Sequence, residues 1–216
     1  MSSQIRTFAI SERLPNTPEA QPRRSFELPD RSALSPYGTL VQKLVQLRQK
    51  QPDGKVITFA AVAPRAGVTF VTQEVSWELA RNAGQPVLVA SPTALDGAQC
   101  PFRITEPIDR HRVWRLAPTA PAPRQAETVD AHESLRTIRE RFGFVLVDCP
   151  PLSQSSAIFS VAPISDGFVL VVAAGETKRS EIEAARRLLA STSVPLLGMV
   201  LNKQRSHVPK LLSAFF

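Results

Sequence analysis

Five runs of this chain are continuously apolar, and this feature constrains the fold more than any other. Strands that lack polar alternation are buried on both faces, which requires helices on both sides of a parallel sheet. The sequence therefore predicts a doubly wound α/β fold with a mainly parallel sheet. The runs are VITFAAV from Val56, PVLVA from Pro86, FVLVD from Phe144, DGFVLVV from Asp166 and VPLLGMVL from Val194.

Helical patterns separate these runs, with apolar residues at spacings of three and four. A helix that begins at Ser180 with Glu183 three residues later matches a capping box. The segment HRVWRLAP predicts a further short strand. The predicted apolar faces are Leu40, Leu44 and Leu47 in the first helix, Val71, Val75 and Leu79 in the second, and Leu135, Ile138 and Phe142 in the third.

Residues 1–35 are rich in proline, serine and charge, a composition that buries too little apolar surface to offset chain entropy. We predict a disordered tail over 1–35 and one α/β domain over 36–216. No apolar run approaches the roughly 20 residues that cross a bilayer, and no signal peptide is evident, so the expected location is cytoplasmic. Cys100 and Cys149 match neither a metal nor a disulfide pattern and are interpreted as structural.

The net charge is +7, which suits nucleic acid or an anionic membrane surface. The basic residues are scattered, and no recognisable nucleic-acid module accompanies them, so specific nucleic-acid binding is not expected. Lys203, Arg205 and Lys210 precede a final apolar stretch from Leu211 to Phe216. Three interpretations stay open for this end: peripheral membrane contact, filling of a partner's groove, and packing on its own domain.

Parallel α/β sheets bind ligands at the carboxyl ends of their strands, which places the candidate site in the loops after Val62, Ala90, Val147, Val172 and Leu201. The first of these loops, APRAGVT, has the layout of a phosphate-binding turn before a helix. A P-loop carries lysine between the glycine and the hydroxyl residue, and Val68 occupies that position. Gly67 would still let backbone approach a phosphate, and Thr69 could bind Mg²⁺ or simply cap the helix.

Four segments in order resemble the bacterial tyrosine kinases of capsule and exopolysaccharide synthesis, within the MinD/ParA-like P-loop group. The resemblance runs from Pro36 onward and implies a nucleotide site at Gly67, Thr69, Asp148 and Asn202. It also implies Thr69 and Asp148 as magnesium ligands, Asp148 being the acid that holds the Mg²⁺ shell. Asn202 resembles the residue that contacts the base, and it could equally satisfy backbone groups at the strand end. The segments are AAVAPRAGVT, FGFVLVDCPPL, SDGFVLVVAAGETKRSEIEAARRLL and LLGMVLNKQRSHVPKLL.

The chain departs from this family at several functional positions. The P-loop lysine is replaced by Val68, the acids that usually follow the second strand are replaced by Ser91 and Thr93, and Asp96 is out of register. Tyr37 is the single tyrosine, so the family's tyrosine cluster is absent. The helix after Tyr37 lacks the pattern by which family members form rings, which leaves a homo-oligomer as an open alternative.

The resemblance and these departures together predict a non-catalytic pseudokinase or pseudo-ATPase with no resident cofactor. Its implied role is regulatory or scaffolding, on an inner-membrane polysaccharide co-polymerase or synthase subunit. The alternative is an active or nucleotide-switched MinD/ParA-type ATPase, with weak binding of ATP or ADP and magnesium. In that case Arg65 or a partner's residue would replace the missing lysine.

Overall fold

The computed structural model describes residues 36–49, 53–95, 103–105, 112–117 and 131–204. Within them, one seven-stranded sheet is built from β1 (Lys55–Ala61), β2 (Val87–Ala90), β3 (Arg103–Thr105), β4 (Val113–Ala117), β5 (Phe144–Asp148), β6 (Gly167–Ala173) and β7 (Leu196–Asn202). The strand order is β3-β4-β2-β5-β1-β6-β7. Every pair is parallel except β3 with β4. The predicted doubly wound α/β fold is confirmed.

Helices cover both faces of the sheet, as the apolar runs predict. They are α1 (Gly38–Gln49), α2 (Val68–Ala83), α3 (Pro92–Leu95), α4 (Ala131–Arg141), α5 (Ala157–Val161) and α6 (Arg179–Ala190). On one face, α1 and α2 pack against alternate residues of β1 and β5 such as Phe59 and Leu146. On the other face, α4, α5 and α6 pack against residues such as Val145 and Leu170. All seven residues of β1 are buried, as expected for a central strand.

The start of α6 differs from the predicted capping box. The helix begins at Arg179, and the Glu181 carboxylate accepts a hydrogen bond of 2.8 Å from the backbone N–H of Lys178. Ser180 therefore lies within the first turn, and Glu183 instead pairs with Arg186 at 3.6 Å. The predicted Ser180 cap is wrong because Glu181, one turn from Lys178, satisfies the earlier backbone donor.

The last apolar run is not buried on both faces. Met199 and Leu201 of β7 are 55% and 56% exposed, because β7 is the outermost strand beside β6. The elements β3, α3 and α5 were not predicted from the sequence. The predicted strand in HRVWRLAP is confirmed as β4.

An ion pair between Arg139 of α4 and Asp166 lies at the end of the sheet where β1 and β6 begin. Arg139 Nη1 lies 2.8 Å from Asp166 Oδ2 and 2.9 Å from the Gly54 carbonyl oxygen, to which it donates. Its Nη2 donates to the Ile164 carbonyl at 2.8 Å. Asp166 Oδ2 also accepts from the backbone N–H of Val56 at 2.7 Å. This cluster, termed the Arg139 clamp, joins α4 to the starts of β1 and β6.

Several predictions concern residues outside the described ranges. The tail over 1–35, Cys100, Asp96 and the basic-apolar segment over 205–216 are among them. The domain boundary at residue 36 therefore stays a prediction. Cys149 is 2% exposed and free, which agrees with a structural thiol.

Candidate functional site

A cleft of about 390 Å³ opens at the carboxyl ends of β1 and β5, where the sequence places the ligand site. Its walls are the loop between β1 and α2, the first turn of α2 and the segment that follows β5. The volume is within the range of small-molecule sites. The lining residues are Ala63, Arg65, Ala66, Gly67, Val68, Thr69, Asp148, Cys149, Pro150 and Pro151.

The segment after β5 is fixed to the end of β1 by backbone hydrogen bonds. The N–H of Cys149 donates to the Phe59 carbonyl at 3.0 Å, and the N–H of Leu152 donates to the Ala61 carbonyl at 2.8 Å. A third bond of 3.1 Å joins the N–H of Ser153 to the Val62 carbonyl. One wall of the cleft is therefore an extension of the sheet rather than a free loop.

The loop before α2 turns through two left-handed residues, Arg65 with φ of 64° and Gly67 with φ of 89°. Glycine adopts this conformation freely, whereas a residue with a side chain does so at a cost of roughly 1–2 kcal/mol. Arg65 takes the backbone conformation suited to glycine, so the turn is formed without one at this position.

Asn202, at the end of β7, binds the backbone of this loop through its side-chain amide. Its Nδ2 donates to the Ala66 carbonyl oxygen at 2.8 Å. A Cβ atom at Gly67 would overlap the same amide nitrogen, so a side chain there would displace Asn202 from its bond to Ala66. Gly67 is thus required by the packing of Asn202 as well as by its positive φ.

The side chains of Asp148 and Thr69 lie within hydrogen-bonding reach of each other in the cleft. Partial burial raises the pKa of Asp148, while a hydrogen-bond interaction with the Thr69 side chain and the positive charge of Arg115 lower it in part. Arg115 lies on β4, in register with Val89 of β2, which in turn pairs with Leu146 of β5. Arg115 is not among the site residues predicted from the sequence. Arg115 lies two residues after Val113 in β4, so its side chain is on the α2 face of the sheet, the same face as Asp148. This spacing is the one sequence signal for Arg115.

The thiol beside the acid is inert at neutral pH. Burial, followed by the neighbouring charge of Asp148, raises the pKa of Cys149 to about 12. A thiol with such a pKa stays protonated near pH 7 and is a poor nucleophile. Cys149 therefore contributes packing to the cleft wall.

Ser91 and Thr93, which stand where the family carries acids, serve the start of α3. Ser91 Oγ accepts from the backbone N–H of Ala94 at 3.3 Å and lies 3.0 Å from Thr93 Oγ1. This is the arrangement of a helix cap. Neither hydroxyl carries the charge that an acid would bring to a magnesium ion.

Of the four predicted site residues, Gly67, Thr69 and Asp148 line the cleft together. Asn202 adjoins the cleft through Ala66 and Gly67 and is not among its lining residues. A hydroxyl and a carboxylate are suitable Mg²⁺ ligands, so Thr69 and Asp148 fit such an ion. Among the described residues there is no cluster of three or more His, Cys, Asp or Glu side chains suited to a metal.

The positive charge expected for a triphosphate is only partly present. Among the described residues lining the cleft, Arg65 is the one cationic side chain, and it is exposed. Val68, where a lysine would reach the β- and γ-phosphates, is apolar and partly buried against the α2 core. The described lining therefore offers two oxygen ligands to a magnesium ion, on Thr69 and Asp148, and one exposed cation, Arg65, to a triphosphate.

The sheet order, the loop into α2 and the acid at the end of β5 define a P-loop NTPase-like α/β protein. One similar solved structure is the VpsO kinase domain, with a TM-score of 0.61 and 16% identity over 79% of this chain and 94% of that chain. Another is the chimerical protein CapA2B2, with a TM-score of 0.61 and 19% identity over 80% of this chain and 87% of that chain. The MinD protein of Pyrococcus horikoshii OT3, complexed with Mg-ADP, has a TM-score of 0.51 and 16% identity over 75% and 76%. At these identities the likeness establishes the fold.

The sequence relatives are bacterial tyrosine kinases. The tyrosine-protein kinase CpsD of Streptococcus pneumoniae serotype 4 is 24% identical over 179 residues, or 72% of this chain and 79% of that protein. The protein named putative tyrosine-protein kinase CapB, of Staphylococcus aureus, is 24% identical over 176 residues, or 76% of this chain and 75% of that protein. CpsD of Streptococcus agalactiae is 31% identical over 77 residues, about a third of either chain (36% and 34%). No family model matches. The resemblance predicted from the sequence motifs is confirmed.

The helices in the described part of the chain are all too short or too polar to cross a bilayer.

Proposed function

We propose that this protein is a non-catalytic regulatory or scaffolding subunit of bacterial exopolysaccharide biosynthesis and export. It retains the P-loop architecture of the CpsD-like kinases and does not transfer phosphoryl groups. It works in the cytoplasm, peripherally at the inner membrane, and docks on a polysaccharide co-polymerase or synthase subunit. Support for the pathway comes from its relatives, which include CpsD and CapB.

The charge of the cleft is the observation that carries the proposal. Phosphoryl transfer depends on fixed positive groups that stabilise charge on the transferring oxygens. Val68 replaces the expected lysine, and the positions of two expected acids hold Ser91 and Thr93, which are engaged with each other at the start of α3. Loss of one preorganised electrostatic group costs about 3–4 kcal/mol of transition-state stabilisation. Loss of the lysine in the cleft, together with replacement of both acids at the start of α3, favours a role in assembly.

ATP hydrolysis by the purified full chain tests this proposal directly. We expect the magnesium-dependent rate of the wild type to equal that of the Asp148→Asn variant, because neither would carry out the reaction. Circular dichroism of both proteins controls for folding. A wild-type rate about tenfold or more above that of Asp148→Asn would overturn the proposal.

One observation favours the alternative, an ATPase of the MinD/ParA type. Arg65 lines the cleft, and its left-handed backbone places it within the turn where phosphates would bind. If Arg65 replaces the lysine, Arg65→Gln lowers the rate by about 10²–10³-fold. Arg81→Gln, on the exposed end of α2, is the matched control and leaves the rate unchanged. Such a difference between the two variants would establish the alternative.

Docking on the membrane machinery is tested by co-expression with the co-polymerase or synthase subunit from the same gene cluster. We expect the two proteins to co-purify, and to do so equally with Asp148→Asn, because docking does not depend on the nucleotide chemistry. Failure to co-purify with either subunit would refute the proposed partner while leaving the hydrolysis result intact.

A further inference from the structure

The outer strand β7 carries two strongly exposed apolar side chains, Met199 and Leu201, at 55% and 56% exposure. Being two residues apart in a strand, they lie on the same face of the sheet. Their register partners on β6 are Leu170 and Val172, which belong to the core cluster that α6 helps to cover. The apolar layer that α6 covers on β6 therefore extends onto β7, where Met199 and Leu201 are exposed.

The backbone edge of β7 is also open in the described part of the chain, where β7 pairs with β6 alone. Residues 196–201 contain no charged residue and no proline. Proteins normally protect a free sheet edge with lysine, proline, a bulge or a covering segment. The β6–β7 pairing has one register shift, between Phe168 and Val169, and is regular from Gly198 to Asn202. The regular part of this edge carries the exposed Met199 and Leu201 without such protection, which favours a covering segment there.

The chain leaves β7 through a turn that can redirect it toward this edge. Lys203 has a left-handed φ of 58°, and its Nζ lies 2.9 Å from Glu176 Oε2, which holds the turn against the loop after β6. Residues 205–216 follow, lie outside the described residues and include the apolar Val208, Leu211, Leu212, Phe215 and Phe216. Extended, these residues would reach roughly 40 Å, whereas β7 is roughly 23 Å long, so the segment can turn and return along the strand.

We propose that residues 205–216 dock on the outer edge of β7 and bury Met199 and Leu201. The segment starts three residues after β7, so its effective concentration at this edge is in the millimolar range. A second copy of the chain at micromolar concentration competes poorly with a tethered segment. The inference does not depend on whether the cleft binds a nucleotide.

Backbone hydrogen exchange followed by NMR on the full chain tests this docking. The comparison variant has its apolar residues Leu211, Leu212, Phe215 and Phe216 changed to serine, which preserves length and charge. We expect the amides of Met199 and Leu201 and their β7 neighbours to exchange about tenfold faster in this variant. Amides of β1 in the centre of the sheet report on global stability and should be unchanged.

The matched control changes the basic residues Arg205 and Lys210 to glutamine and should keep the wild-type protection of β7. Deletion of residues 205–216 should reproduce the serine variant. Equal exchange in wild type and both apolar-deficient proteins would overturn the proposal. Protection of β7 that rises with protein concentration, together with a dimer in light scattering, would assign the edge to a second copy and would also overturn it.

Discussion

At the scale of single residues, the cleft loop depends on Gly67 for a reason that the sequence did not reveal. The sequence predicts that Gly67 lets backbone approach a phosphate. In the structure Gly67 has φ of 89° and lies against the Asn202 amide, which itself holds the Ala66 carbonyl. Asn202 is 135 residues away in sequence, so no local pattern could predict this contact.

The substitution Gly67→Ala tests this packing. We expect the free energy of unfolding to fall by about 2–3 kcal/mol, because the positive φ and the contact with Asn202 both oppose a Cβ atom. Gly175→Ala is the control, since Gly175 has φ of 73° but open space around it, and should cost only about 1 kcal/mol. Urea denaturation measures both. Equal losses would mean that Asn202 does not constrain the loop.

Asp148 leads to a prediction about pH. Its pKa is raised above the ordinary 3.8, mainly by burial, so the folded protein holds the proton more tightly than the unfolded chain does. The contribution of the Asp148 carboxyl to the free energy of unfolding is therefore lost as the pH rises from 3.8 through the raised pKa of the folded protein. Asp148→Asn should unfold at a higher urea concentration than wild type near pH 7, and the difference should shrink as the pH falls toward 3. A variant less stable than wild type near pH 7 would contradict this.

At the scale of secondary-structure elements, the apolar runs and helical spacings correctly predicted five parallel strands and four helices. These elements follow from burial, which leaves a periodic pattern in the sequence. The Arg139 clamp left no such pattern, because Arg139, Asp166 and Gly54 come together only in the folded sheet. For the same reason Arg115 was missed beside Asp148, whereas Thr69 was found from its position after Gly67.

The Arg139 clamp should contribute more stability than any exposed pair on the same helix. Arg139 and Asp166 are 22% and 23% exposed, and Arg139 makes further bonds to the Gly54 and Ile164 carbonyls. We expect Arg139→Gln to lower the free energy of unfolding by about 2 kcal/mol. Arg136→Gln, which breaks the exposed pair with Glu140 at 3.4 Å, should cost less than about 0.5 kcal/mol. Similar losses in urea denaturation would mean that the clamp adds nothing beyond a surface pair.

At the scale of the whole molecule, the charge of +7 raises the question of nucleic-acid binding. In the described residues several basic side chains are already paired with acids: Arg139 with Asp166, Arg136 with Glu140, Arg186 with Glu183 and Lys203 with Glu176. These pairs involve four of the 26 Lys and Arg residues, and the other basic residues are scattered along the sequence, so any DNA binding should be governed by overall charge.

We therefore expect a short DNA duplex to bind the full chain at about 20 mM salt and to be released by about 150 mM, without sequence preference. Fluorescence anisotropy across a salt series with two unrelated duplexes measures this. Because nonspecific affinity falls steeply with ionic strength, binding that persists at about 150 mM, or that distinguishes the duplexes, would require a defined contact surface. That result would favour a nucleic-acid-binding role over a role in polysaccharide assembly, since a fold alone does not determine function.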